Sequence, residues 1–258
     1  MINKVFNNFD TAIADIPDGA SIAMDSWGIP ATPQNLIAAL KRKGAKDLTV
    51  ITHNFIPMVW EEEDAALAAV LLPQIKKLIT AIVGIMRLGA GAFVKEYVDK
   101  GLEIELMGHG TLASRLYAGA AGLGGYYDPI GVGTILEEGK EKRIINGKEY
   151  LFQEPIKPDY AFIVAHKADL LGNLVYKGNY RSNQPVMAMA SRVTIVEVDK
   201  IVEVGEIDPE HVITPSIFVD RIVEIPPAGL GTPEKGAAII RKLGEVESVR
   251  DLLFGKSD

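Results

Sequence analysis

The sequence predicts an α/β fold in which an open, largely parallel sheet carries helices on both faces, with a β-hairpin insert and a C-terminal helical extension. Three observations predict it. Short β-branched runs alternate with amphipathic segments of about ten residues, which is how strand–helix–strand units read. Asn146-Gly147 separates Ile144-Ile145 from Tyr150-Leu151, the pattern of a two-residue hairpin turn. Pro226-Pro227, Gly229 and Gly231 make a linker, after which Thr232-Pro233 opens a helix through Leu243, since proline is tolerated in a helix's first turn.

Taken in order, Ala20–Met24 is a short strand, and Pro33–Lys43 places Leu36, Ile37 and Leu40 at helical spacing until Gly44 stops it. Leu48–Thr52 is a β-branched strand. Ala65–Leu72 follows the acidic run Glu61–Asp64 as a helix, and Lys77–Gly84 is a buried strand. Ala92–Lys100 turns Phe93, Val94, Tyr97 and Val98 to one helical face before Gly101; Leu102–Leu106 is then a strand and Thr111–Ala121 a helix. Lys142–Phe152 is the antiparallel insert, and further strands fall at Tyr160–Ala165, Leu174–Tyr176, Val193–Val198 and Phe218–Ile225. One α/β domain over 1–225, followed by a linker and helical extension over 226–258, is the economical division.

A chain of 258 residues, 48% of them hydrophobic, is long enough to bury a full core without disulfides or a structural metal. The absence of cysteine excludes thiolate catalysis and Cys-ligated metal sites, and it fits a reducing compartment. The longest apolar run, Leu78–Met86, is broken by Thr80 and Gly84, well short of the roughly 20 residues that span a bilayer. Met1–Asp18 has no long apolar core and is not a signal peptide, so a cytoplasmic protein is expected. With 27 Lys+Arg against 34 Asp+Glu, and clusters such as Lys41-Arg42-Lys43 as its longest basic runs, the chain lacks the basic face that nucleic acid demands.

Gly108-His109-Gly110-Thr111-Leu112-Ala113 follows a strand, opens a helix and fits the glycine fingerprint of dinucleotide sites. The acidic residue expected about 20 positions on would be Asp128. It has the spacing but sits in Gly124-Gly125-Tyr126-Tyr127-Asp128-Pro129, which reads as a loop and counts against a nicotinamide site. Six glycines between Gly119 and Gly133 mark either an irregular connection or a loop wrapped on a ligand. His53, His109, His166 and His211 show no metal-ligand spacing; each reads as a core or loop residue, with His109 set apart by its place between two glycines at a strand-to-helix junction. The acidic run Glu61–Asp64 reads as a solvated helix start.

From Asp159 onward a set of motifs accumulates. Ala165-His166-Lys167-Ala168-Asp169-Leu170-Leu171-Gly172-Asn173-Leu174-Val175-Tyr176 is followed by Val193–Val198, Gly205-Glu206-Ile207-Asp208-Pro209-Glu210-His211-Val212 and Thr214-Pro215. With Asp18-Gly19, Gly110-Thr111-Leu112 and Gly119–Thr134 upstream, this order closely resembles the α subunit of family I coenzyme A transferases of the 3-oxoacid type. The resemblance runs from about Val5 to Ile225, making 1–225 an α-type domain and leaving 226–258 outside it.

The resemblance implies a fold shared with sugar-phosphate isomerases, a partner β subunit, and movement of CoA between a short acyl-CoA and a carboxylic acid, as in fatty acid or ketone body metabolism. It implies ping-pong chemistry on a glutamate of the β subunit, in a Ser-Glu-Asn-Gly-like motif that these residues do not contain. On this basis the chain supplies no catalytic residue, binds no metal and no permanent cofactor, and meets coenzyme A as a substrate. The CoA-binding segment of the family falls on Asp25, Ser26, Trp27, Gly28, Ile29, Pro30 and Ala31, and a second substrate segment on His109, Gly110 and Thr111. Asp25 and Ser26 replace two leading glycines of the family, and a carboxylate near CoA phosphates would repel them. Asp25→Gly is expected to tighten CoA binding if that side chain merely crowds or repels the cofactor; an unchanged or weaker affinity means that Asp25 has a positive role, such as orienting an acceptor. Tyr180-Arg181-Ser182-Asn183-Gln184-Pro185 falls on a further segment of the same region. An acyl-CoA or ring-opening hydrolase on the same fold and a non-catalytic scaffold subunit remain the alternatives.

Overall fold

The computed structural model describes residues 3–25, 31–55, 68–83, 90–227 and 229–230. Its centre is a sheet in the order β11-β10-β8-β1-β2-β3-β4, in which β1 is Ser21–Met24, β2 Leu48–Phe55, β3 Ile75–Val83, β4 Glu103–Leu106, β8 Tyr160–Asp169, β10 Val193–Val202 and β11 Arg221–Glu224. All six neighbouring pairs are parallel; β9 (Leu174–Val175) adds an antiparallel partner on β8. Strand alternation divides the interior in two. Ile22, Met24, Leu48, Val50, Leu78, Phe162 and Ile195 face one apolar cluster, and Ala23, Ile51, Ile79, Ala161, Ile163 and Val196 face the other.

The first cluster is closed by α1 (Phe9–Ala12), α2 (Gln34–Lys43) and α3 (Ala90–Asp99), the second by α4 (His109–Ala120) and α5 (Gln184–Ala190). Helices therefore lie on both faces. Leu36, Ile37 and Leu40 are fully buried, and Gly44 ends α2 at φ 73°, the left-handed cap that glycine adopts without a Cβ penalty. Pro33 offers α2 no side-chain cap; Glu197 of β10 reaches across instead, accepting from Leu36 N at 2.9 Å and from Asn35 Nδ2 at 3.1 Å.

A second, three-stranded antiparallel sheet has the order β5-β7-β6, with β5 Tyr126–Asp128, β6 Lys142–Ile145 and β7 Lys148–Gln153. Asn146 (φ 50°) and Gly147 (φ 77°) turn β6 into β7, the backbone that suits a tight hairpin. The segment around Tyr126–Asp128, read from its composition as a loop, is a strand because it pairs with β7. Ala68–Gln74 is a 3-10 helix rather than part of an α-helix, and Pro73 inside it has no N–H to give. The C-terminal extension from 231, the run Glu61–Asp64 and the start of the Ala65–Leu72 segment lie outside the described residues. No described helix is long and apolar enough to cross a membrane.

Candidate functional site

A parallel sheet opens a crevice beyond its strand C-termini where the strand order reverses. Here the order runs β1-β2-β3-β4 one way and β8-β10-β11 the other, so the reversal falls between β1 and β8. The chain leaving β1 at that point begins with Asp25, and the neighbouring strand ends bring His53 and Asn54 on β2 and His109 just past β4.

Asp25 is fully enclosed. Its Oδ2 accepts from Ser182 Oγ and, at 3.0 Å, from the N–H of Asn183, the N-cap of α5. Beyond the segment 26–30, the carbonyl of Ala31 accepts from Gln184 Nε2 at 2.6 Å, while Gln184 Oε1 accepts from Val164 N of β8 at 3.2 Å. Three consecutive residues, Ser182, Asn183 and Gln184, thus fasten Asp25 and Ala31, the first and last residues of the segment expected to bind CoA. An inward carboxylate so engaged is not the exposed charge expected to repel phosphates. The inward placement agrees with a positive role for Asp25 rather than a merely repulsive one.

His53 is 1% exposed, with Nδ1 3.9 Å from Asp25 Oδ1. Burial pushes its pKa below the usual imidazole value; Asp25 opposes that shift and His109 adds to it. The His109 ring stacks on it, with centroids 6.0 Å apart and planes within 15°. His109 is the first residue of α4, after the N-cap Gly108, and its Nε2 lies 3.2 Å from Asn54 Oδ1. An amide oxygen can only accept, so Nε2 carries the hydrogen in this contact.

A cleft of about 390 Å³ opens at the N-terminus of α4, lined by Gly108, Gly110, Thr111, Ser114 and the β5 residues Tyr126 to Asp128. Thr111 Oγ1 donates to Asp128 Oδ2 at 2.7 Å, Ile130 N donates to Asp128 Oδ1 at 2.9 Å, and Tyr126 OH donates to Thr111 O at 3.1 Å. Both oxygens of Asp128 are therefore spent on holding the small sheet against α4. Asp128 also ends a strand of that small sheet, not the parallel strand a dinucleotide fold needs there, which removes the nicotinamide reading. A Cβ on Gly110 would meet nothing within 4 Å, so the space beside it is open.

The structure thus brings Asp25, Ala31 and His109 to the strand ends at the reversal and sets Gly110 and Thr111 on the adjoining cleft; Ser26, Trp27, Gly28, Ile29 and Pro30 lie outside the described residues. Sequence reading missed the pairing of His53 and Asn54 with His109. The available signal was that His53-Asn54-Phe55 continues the strand begun at Leu48 without a turn residue. Among the described residues no group of three His, Asp or Glu side chains is arranged to hold a metal ion.

The Coenzyme A transferase family model matches residues 6–225. The chain is 38% identical over 226 residues to the A-type subunit of the 3-oxoadipate CoA-transferase of Pseudomonas putida, covering 87% of this chain and 95% of that protein. It is 38% identical over 222 residues to the A-type subunit of the succinyl-CoA:3-ketoacid coenzyme A transferase of Helicobacter pylori, covering 86% and 92%. In fold it is similar to an acyl-CoA transferase of Escherichia coli O157:H7 (TM-score 0.77, 22% identity), matching 90% of this chain but spanning only 49% of that one. Glutaconate coenzyme A-transferase of Acidaminococcus fermentans superposes at TM-score 0.72 with 18% identity, over 97% of this chain and 92% of that one. The chain belongs to the coenzyme A transferase family. Within it, this is the α-type subunit of a heteromeric CoA-transferase.

Proposed function

We propose that this chain, joined to a β-type subunit, moves CoA between a short acyl-CoA and a carboxylic acid by ping-pong chemistry on a glutamate of the partner. The supporting observation is a division of labour. The chain aligns with A-type subunits over 87% of its length, contains no Ser-Glu-Asn-Gly, and among its described residues the two carboxylates at the site, Asp25 and Asp128, are both engaged internally.

In the proposed reaction the partner's glutamate attacks the thioester carbonyl and expels CoA as a thiolate, leaving an acyl–glutamyl anhydride. The thiolate attacks the glutamyl carbonyl, releases the donor's carboxylate and leaves a glutamyl thioester; the acceptor acid runs the two steps in reverse. Carboxylates are weak nucleophiles, so orientation and stabilisation of the tetrahedral oxyanions supply the rate. This chain contributes the segment from Asp25 to Ala31 for CoA and the first N–H groups of α4, which have no intrahelical partner and favour an anion. Coenzyme A enters and leaves as substrate, and no permanently bound cofactor is required.

Co-expression with a β-type partner, followed by a CoA-exchange assay between an acyl-CoA and a free acid, tests this. Exchange is expected from the pair and not from the single chain. Full activity of the purified single chain would overturn it.

A further inference from the structure

We infer that Lys140 is a site of covalent acylation, its side-chain amine taking the acyl group of an acyl-CoA thioester. The inference is independent of the exchange reaction, since it needs neither the partner subunit nor that subunit's glutamate. Lys140 stands just before β6 and reaches across to β7, where its Nζ donates to Gln153 Oε1 at 2.9 Å. Arg115 of α4 reaches the next residue, giving its Nε hydrogen to the carbonyl of Glu154 at 2.7 Å. Two cations thus sit on consecutive residues of one segment. Both line a cavity of about 390 Å³, far larger than an acetyl group, whose other walls include Glu105, Glu141, Phe152 and Glu154.

The carboxylates around the amine are engaged by other groups. Glu105 of β4 takes Arg115 Nη1 and, at 2.9 Å, Lys77 Nζ; Asp128 of β5 takes Thr111 Oγ1 and Ile130 N; Glu141 takes the Tyr127 hydroxyl. Glu154, one residue past β7, is exposed. Lys140 itself rests on an amide oxygen, which asks only for a hydrogen, and a neutral amine still supplies one. Lys77, Lys95, Lys100 and Lys142, by contrast, each rest on a carboxylate. Burial pushes the Lys140 pKa below the usual lysine value, the Arg115 charge adds to the fall, and Glu105 and Asp128 oppose it.

A neutral amine is the form that attacks acyl carbon. A thioester is reactive enough for an unassisted amine, whereas a free carboxylate is not. The nitrogen lone pair adds to the thioester carbonyl, the C–S bond breaks as the C–N bond forms, and the proton lost by nitrogen ends on the departing CoA thiolate. The products are an amide and free CoA, with no change of oxidation state and no further reactant. The step removes a positive charge from beside Arg115, and the amide N–H still has a hydrogen for Gln153.

Incubating the full chain with acetyl-CoA, and following acetyl at each lysine by mass spectrometry of its peptides, tests the inference. Near pH 8, Lys140 is expected to gain acetyl about threefold or more faster than the exposed Lys157 and Lys200. Between about pH 7 and about pH 10 its rate is expected to flatten before theirs, because its amine is neutral earlier. Equal or slower acetylation at Lys140, or rates that climb in parallel, overturn the inference. Gln153→Glu sets a carboxylate where the amide oxygen accepts and so holds the ammonium form; it is expected to erase the advantage. An undiminished rate in that variant, with cooperative thermal unfolding, overturns the inference as well, and if the variant does not fold, the wild-type rates and their pH profiles decide.

Discussion

Asp25 illustrates how one residue's environment decides its effect. By sequence it is an acid where glycine is usual, and Coulomb repulsion of phosphate is one reading of it. Folded, it is enclosed beside the N-cap of α5 and accepts from Ser182 Oγ and Asn183 N. Asp25→Gly is therefore expected to cost about 2 kcal/mol in urea unfolding, because it leaves the donors Ser182 Oγ and Asn183 N without the enclosed carboxylate that accepts from them. It is also expected to weaken CoA binding to the assembled enzyme in titration calorimetry. Unchanged stability with tighter binding would restore the repulsive picture. Asp169 shows a different limit of sequence reading. It lies in the run by which the family is most legible, yet it accepts from the N–H groups of Leu171, Gly172 and Asn173 at 2.9–3.0 Å. That run is recognisable because a tight turn needs it, and it says nothing directly about the reacting groups.

Among the elements, those with strong periodicity are legible and their ends are not. α2 and the hairpin follow the sequence reading, since Leu36, Ile37 and Leu40 share a face and Asn146-Gly147 accepts positive φ. β2, β8 and β10 extend to Phe55, Asp169 and Val202, beyond the apolar runs that announced them, because ladder bonding to a neighbour carries polar residues along. α5 went unread: it is seven residues long, too short for a helical period to emerge. The glycines of the 119–133 stretch also resolve at this scale. A Cβ on Gly119 would lie 2.0 Å from the carbonyl oxygen of Ile156, so α4 rests directly on that backbone. Gly119→Ala is expected to lower stability by about 1–3 kcal/mol through overpacking. Gly110→Ala, pointing into open space, is expected to leave thermal unfolding nearly unchanged. Equal effects of the two substitutions would contradict the packing of α4 described above.

At the scale of the whole molecule, Glu197 ties together parts far apart in sequence. From β10 it caps α2, and Asn35 beside it exchanges two hydrogen bonds with the backbone of Leu230, both at 2.8 Å. Burial pushes the Glu197 pKa up to about 8, against the lowering effect of its N–H partners at Leu36, Asn35 and Gln34. The folded protein then holds a proton that the unfolded chain, with a glutamate pKa of about 4.3, has released. The stability this proton supports is fully present below about pH 4.3 and is lost as pH rises through about 8. Urea midpoints of the wild type are expected to fall across that window, and Glu197→Gln, which cannot ionise, to flatten the fall. Parallel pH profiles for the two would refute the raised pKa.

By itself the sequence determined the fold class, most element positions, the family and the lack of a Ser-Glu-Asn-Gly run, because these are written in local periodicity, turn chemistry and ordered motifs. Only the tertiary structure decided that Asp25 turns inward to α5, that Asp128 serves as a brace, and that His53 and Asn54 converge on His109. Those facts depend on the reversal of strand order between β1 and β8 and on how α4 and α5 lie across the strand ends. Contacts between residues 55 or 157 positions apart, as in His109 with Asn54 and Ser182 with Asp25, leave no periodic trace along a chain.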